Sequence, residues 1–143
     1  MDQREKIESA IKTKKEICRR SAKNGSFKSF CLYWDPVFFS KRKKLDDVIN
    51  AFQFVYDSYK NGEQVRIAIS TPPRAGKSYT TSLFCAFMLG HFPKESIMRN
   101  TCTSTLRDKL MKDVGGMLSS QKWKDCFETS NYLKINNSTQ VSL

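Results

Sequence analysis

Residues 65 to 81 read VRIAISTPPRAGKSYTT, and this stretch narrows the choice of fold more than any other. The run VRIAIS is β-branched with little polarity, as a strand covered on both faces is. It breaks at Pro72 and Pro73, and an apolar helical stretch restarts after Gly76-Lys77-Ser78. Strand, loop, Gly-Lys-Ser and helix in that order form the layout of a phosphate cradle. In such a cradle, backbone N–H groups wrap an anion, lysine reaches the β and γ oxygens, and a serine or threonine hydroxyl holds Mg²⁺.

The full pattern is G-x-x-x-x-G-K-[ST]. Gly76, Lys77 and Ser78 supply its second half, but Thr71 stands at the first glycine position. Proline has no N–H, so an anion nest here has to come from the amides of Arg74, Ala75, Gly76, Lys77, Ser78 and Tyr79. These six are the candidate nucleotide-binding residues, with Lys77 on the phosphates and Ser78 on the metal. Arg74 has two readings. An arginine inside the loop can neutralise charge developing on a γ-phosphate, or it can form a surface ion pair.

Around the loop, helical spacing of Ile7, Ala10, Ile11, Ile17 and Cys18 predicts a basic amphipathic helix over about residues 3–22, ended by Asn24-Gly25-Ser26. The aromatic segment FKSFCLYWDPVFF, residues 27–39, reads as an anchor for this arm, broken at Asp35-Pro36. Leu45, Val48, Ile49, Phe52, Val55 or Tyr56, and Tyr59 predict a second helix, stopped by Asn61-Gly62. The helix from Lys77 to about Leu89 is apolar nearly all round, which predicts burial, and Gly90 with Pro93 should end it. Residues 96–102, SIMRNTC, are expected to form the next strand, although Arg99 and Asn100 count against it. Leu106, Leu110, Val114 and Met117 or Leu118 predict a third long helix, with Gly115-Gly116 weakening its end. Trp123 and Phe127 suit a short further helix, and YLKINNSTQVSL a hairpin around Asn136-Asn137-Ser138.

This βαβ order predicts an α/β, three-layer P-loop NTPase-type domain with a mainly parallel sheet. The expected division is a basic helical and aromatic segment at 1–44 followed by a P-loop core at 45–143. At 143 residues the chain has room for a modest core. Charge is unevenly distributed, with 13 Lys/Arg against 5 Asp/Glu in residues 1–44 within a net +11. Such an excess suits a polyanionic partner, or a solvated face that aids solubility. Five cysteines, at 18, 31, 85, 102 and 126, show no C-x-x-C pair and read as reduced thiols. No apolar run approaches the roughly 20 residues needed to span a bilayer.

The residues also resemble a known family, the large terminase subunits of tailed bacteriophages, motors that drive DNA into preformed capsids. The resemblance runs from Tyr33-Trp34-Asp35-Pro36 through the variant loop PPRAGKS to NTCTSTLRDKL, residues 100–110. It implies ATP and Mg²⁺ as cofactors, with Lys77 and Ser78 binding them and Arg74 acting on the γ-phosphate; Arg74 and Lys77 are the catalytic candidates. Tyr33, Trp34 and Arg42 become candidates for the adenine side. Implied partners are double-stranded DNA, the portal, the small terminase subunit and further copies in a ring, in the host cytoplasm and with no membrane. Family members continue into a strand ending in Asp-Asp or Asp-Glu and then a nuclease domain. Neither occurs here, so the sequence looks like the N-terminal part of such an ATPase, truncated before the Walker B strand. Two rivals remain: a non-catalytic DNA- or partner-binding fragment with a vestigial nucleotide site, and another P-loop enzyme such as a helicase.

Overall fold

The computed structural model describes residues 2–127, 134–136 and 140–142. The chain divides into two compact units, Met1–Ala75 and Gly76–Leu143.

The first unit is helical. Helix α1 (Gln3–Lys23) opens where the Glu5 carboxylate accepts the N–H of Asp2 at 3.1 Å, the return arm of a capping box. It closes at Gly25, whose φ of 101° suits a residue without a Cβ. A methyl group there would also meet the Tyr56 hydroxyl at 2.8 Å. Helix α2 (Phe27–Trp34) starts at Ser26, whose Oγ accepts from the Ser29 N–H, and α3 (Pro36–Lys41) starts at Asp35, whose carboxylate accepts from the Phe38 N–H at 3.0 Å. Pro36 fills the first helical position, where a missing N–H costs nothing. The aromatic segment is thus two short helices, and Asp35-Pro36 is the cap between them.

A 3₁₀ turn (Lys43–Leu45) leads into α4 (Asp46–Lys60). Asp46 and Asp47 sit in its first turn, the end where the helix dipole favours acids. Val48, Ile49, Phe52 and Tyr56 are buried along one face, with Phe27, Phe30, Cys31 and Leu45 also in the core. Phe27 meets Phe52 edge-on at 5.9 Å between centroids. Burying each such side chain contributes about 1.5–3 kcal/mol. Gln53 fastens the corner between α1 and α2. Its Oε1 accepts the Phe27 N–H at 2.7 Å, and its Nε2 donates to the Gly25 carbonyl at 2.9 Å.

The second unit is built on α5 (Lys77–His91), α6 (Ser104–Ser119) and α7 (Gln121–Cys126). Leu83, Ala86 and Phe87 of α5, Leu118 of α6 and Trp123 of α7 are fully enclosed, as the all-round apolar sequence of α5 requires. Helix α5 runs through Gly90 to His91 rather than stopping at Leu89. Gly90 is a contact residue: a Cβ there would lie 2.5 Å from the Phe127 ring. Helix α6 likewise continues through Gly115-Gly116 to Ser119.

The expected parallel sheet is not formed. Residues 65–70 and 96–102 contain no strand, and the described strands are β1 (Lys134–Asn136) and β2 (Gln140–Ser142), an antiparallel pair with Ile135 opposite Val141. That pairing is the hairpin expected from the C-terminal sequence. The mainly parallel α/β architecture is therefore corrected to a helical one. A parallel strand is stable only within a sheet covered on both faces. Ile67, by contrast, is 40% exposed, and Ile97 and Met98 are 41% and 86% exposed. The β-branched composition of VRIAIS is a packing preference, and it has no sheet to satisfy it here.

Candidate functional site

The loop reaches α5 through two left-handed residues. In the first unit, Arg74 has φ 62°, the one positive φ at a non-glycine position among the described residues, and the Ala75 N–H donates to the Pro72 carbonyl at 3.3 Å. A left-handed conformation costs roughly 1–2 kcal/mol in a residue with a Cβ. The Thr71 hydroxyl, at the position of the absent first glycine, is buried without a hydrogen-bond partner.

In the second unit, Gly76 at φ 99° caps α5 with no side-chain hydrogen bond. The first-turn amides of a helix, here those of Lys77, Ser78 and Tyr79, lack intrahelical acceptors and sit at the positive end of the dipole. Lys77 and Ser78 are exposed and Tyr79 is half-buried. Of the six expected anion donors, the amide of Ala75 is already engaged with the Pro72 carbonyl.

Behind this turn, three hydroxyls reach back to carbonyls one turn earlier. Thr80 donates to Gly76 at 2.8 Å, Thr81 to Lys77 at 2.8 Å and Ser82 to Ser78 at 3.0 Å. Arg99 adds a fourth tie from outside the helix, with Nη1 donating to Ser82 Oγ at 2.7 Å and Nη2 to the Ser78 carbonyl at 3.3 Å. Burial pushes the Cys85 thiol up, and the nearby Arg99 guanidinium partly opposes that. Ser78, Tyr79 and Ser82 also line a cleft of about 480 Å³ with Leu106, Lys109, Leu110, Asp113 and Met117 of α6.

The residues present fit a phosphate group. The loop offers an uncapped helix N-terminus, an exposed lysine, an exposed serine hydroxyl and a glycine in the one conformation that opens the turn. Among the described residues no group of three or more His, Cys, Asp or Glu could hold a metal.

The adenine-side candidates lie in the first unit. Tyr33 is buried at 4% exposure with the Lys15 ammonium 5.8 Å from its ring centre, Trp34 is half-buried with its ring 5.7 Å from that of Phe30, and Arg42 stacks on Phe38 at 4.0 Å. All three are engaged in the packing of α1 to α3. Sequence reasoning missed Arg99, which it counted against a strand, and the pair Lys109 and Asp113. Their spacing of four places both on one face of α6, but only the fold turns that face toward α5.

Among the described residues no helix is long and apolar enough to cross a membrane. Compared with protein families, with curated proteins and with solved structures, the chain matches none.

Proposed function

We propose that the chain binds the phosphates of ATP with Mg²⁺ at the N-terminus of α5, and that it belongs to a DNA-packaging motor ATPase of the large-terminase kind. The observation that carries this reading is the junction itself: left-handed Gly76 delivering exposed Lys77 and Ser78 to the first turn of a fifteen-residue helix. It stands on that junction and on the motif PPRAGKS, without the expected parallel sheet.

On this reading Lys77 neutralises phosphate charge, the amides of Gly76 to Tyr79 orient the oxygens, and Ser78 supplies one oxygen to the metal. Mg²⁺, when bound, offsets charge on the β and γ oxygens during transfer. Arg74 is the residue available to meet charge on the γ-phosphate. Its strained backbone fits a positioned functional side chain better than a surface ion pair. Double-stranded DNA, the portal, the small terminase subunit and further copies of the chain are the partners this reading implies.

Titration with a fluorescent ATP analogue tests the proposal. Saturable, Mg²⁺-dependent binding that Lys77→Ala abolishes is the expected result. Indistinguishable curves for wild type and variant would end the phosphate reading.

A second reading is a non-catalytic DNA-binding module. It is favoured by the first part of α1, where every residue from Gln3 to Lys15 is exposed and Arg4, Lys6, Lys12, Lys14 and Lys15 outnumber Glu5 and Glu8. The two readings separate on whether ATP binds at all.

A further inference from the structure

Residues 96–102 have no regular structure, and Ile97, Met98 and Asn100 are exposed, yet Arg99 in their midst is half-buried against α5. Its guanidinium contacts two residues one turn apart near the start of α5, Ser82 Oγ at 2.7 Å and the Ser78 carbonyl at 3.3 Å. Ser82 is only 2% exposed and itself donates to the Ser78 carbonyl. A cation and two hydrogen bonds thus converge on one peptide group.

That peptide group joins Ser78 to Tyr79. Its C=O faces Arg99 and its N–H is one of the first-turn donors of α5. Donation to a carbonyl polarises the peptide and strengthens its own N–H as a donor. A charged donor does this more than a neutral one. The guanidinium also holds the main chain of Ser78 in place.

We infer that Arg99 is a positioning residue for the phosphate site and that segment 96–101, through Arg99, regulates the affinity of that site. The inference rests on the phosphate reading of α5. When the segment lies against α5, Arg99 polarises the Ser78–Tyr79 peptide and the site binds anions well. When a partner or a conformational change draws the segment away, the guanidinium leaves Ser78 and affinity falls. Linkage requires the reverse effect too, so a bound nucleotide holds the segment in place.

The test combines binding and hydrogen exchange on the full chain. Arg99→Ala should weaken binding of a fluorescent ATP analogue about tenfold, within the usual range of coupling between sites. Arg99→Lys should recover part of the loss, because it keeps the charge but not the two-pronged contact. Addition of the nucleotide should slow amide exchange at residues 97–101 in the wild type and leave it unchanged in Arg99→Ala. A purely structural tether would not produce that nucleotide-dependent protection.

If circular dichroism shows that Arg99→Ala loses helix, Ser82→Ala serves in its place, since it removes the short contact and keeps the arginine. Binding that Lys77→Ala abolishes but Arg99→Ala and Ser82→Ala leave intact, with no protection at 97–101, overturns this inference alone. Absence of binding by the wild type overturns the phosphate reading and this inference with it.

Discussion

The indole N–H of Trp123 donates to the main-chain carbonyl of Ala86 at 2.9 Å, fully buried, tying α7 to the middle of α5. The helix that carries Lys77 and Ser78 at one end is thus held by a side chain from α7 of the same unit. Trp123→Phe keeps an aromatic ring but loses the donor. The hydrogen bond and the reduced ring volume together should cost about 1–2 kcal/mol. Urea denaturation of the two proteins measures it, and an unchanged midpoint would mean that the contact adds nothing.

Gly90→Ala sets two effects against each other. Alanine favours a helix interior over glycine by about 1 kcal/mol, but its methyl group would stand 2.5 Å from the Phe127 ring. Overpacking of that kind costs about 1–3 kcal/mol, so a net loss of thermal stability is expected. In a Phe127→Ala background the same change should become stabilising. A loss of equal size in both backgrounds would show that Phe127 is not the cause.

Arg74→Gly should separate folding from function. Glycine adopts φ 62° without strain, so stability should hold or rise by up to about 1 kcal/mol. Whatever Arg74 contributes to phosphate chemistry should disappear. Thermal melting and the ATP-analogue titration read the two effects independently. A destabilised Arg74→Gly would mean that its side chain holds the loop together.

Glu16 offers a pH test. Hydrogen bonds from Arg19 and then Arg20 hold its carboxyl at about 2, against an ordinary 4.5. Because the folded value is depressed, whatever this group adds to stability is present above pH 4.5 and is lost as pH falls toward about 2. Carboxyl resonances followed by NMR should show Glu16 titrating well below the ordinary 4.5. Arg19→Ala should move it back up, and so should high salt, since the pair is at the surface.

Binding of duplex DNA by α1 would be independent of sequence and steep in salt. Lys6, Lys12 and Lys14 are all exposed. Replacing the three with Gln should flatten the log–log salt slope by about 3 units if each touches a phosphate, since each contact contributes roughly 0.9. An unchanged slope would remove α1 from the DNA-binding surface.

How far the sequence revealed this structure depended on how local each signal was. Val48, Ile49, Phe52 and Tyr56 announce α4 because helical spacing is a property of neighbours along the chain. Gly76 before Lys77 marked the start of α5 for the same reason. Phe27–Trp34 hid its helix, because it is only eight residues long and six of them are apolar or aromatic. VRIAIS misled more seriously, since strand formation is decided by partners distant in sequence. Arg99 looked like a flaw in a strand, and only the fold shows it bonded to Ser82. Gly90 read as a stop signal because nothing local announces a ring arriving from Phe127.

The hold of Gln53 on Phe27 and Gly25 has a consequence for the order in which the protein takes shape. The amide of Phe27 is satisfied by a side chain 26 positions further along the chain. While the polypeptide is being made from its N-terminus, α1 can coil as soon as it emerges, because its caps are local. The Phe27 amide, just past the bend that follows, has no such local acceptor and stays solvated until α4 has been synthesised and has folded back. The bend after α1, held at first by local bonds such as that from the Ser26 N–H to the Ser21 carbonyl, would therefore be locked only once the growing chain has passed Lys60.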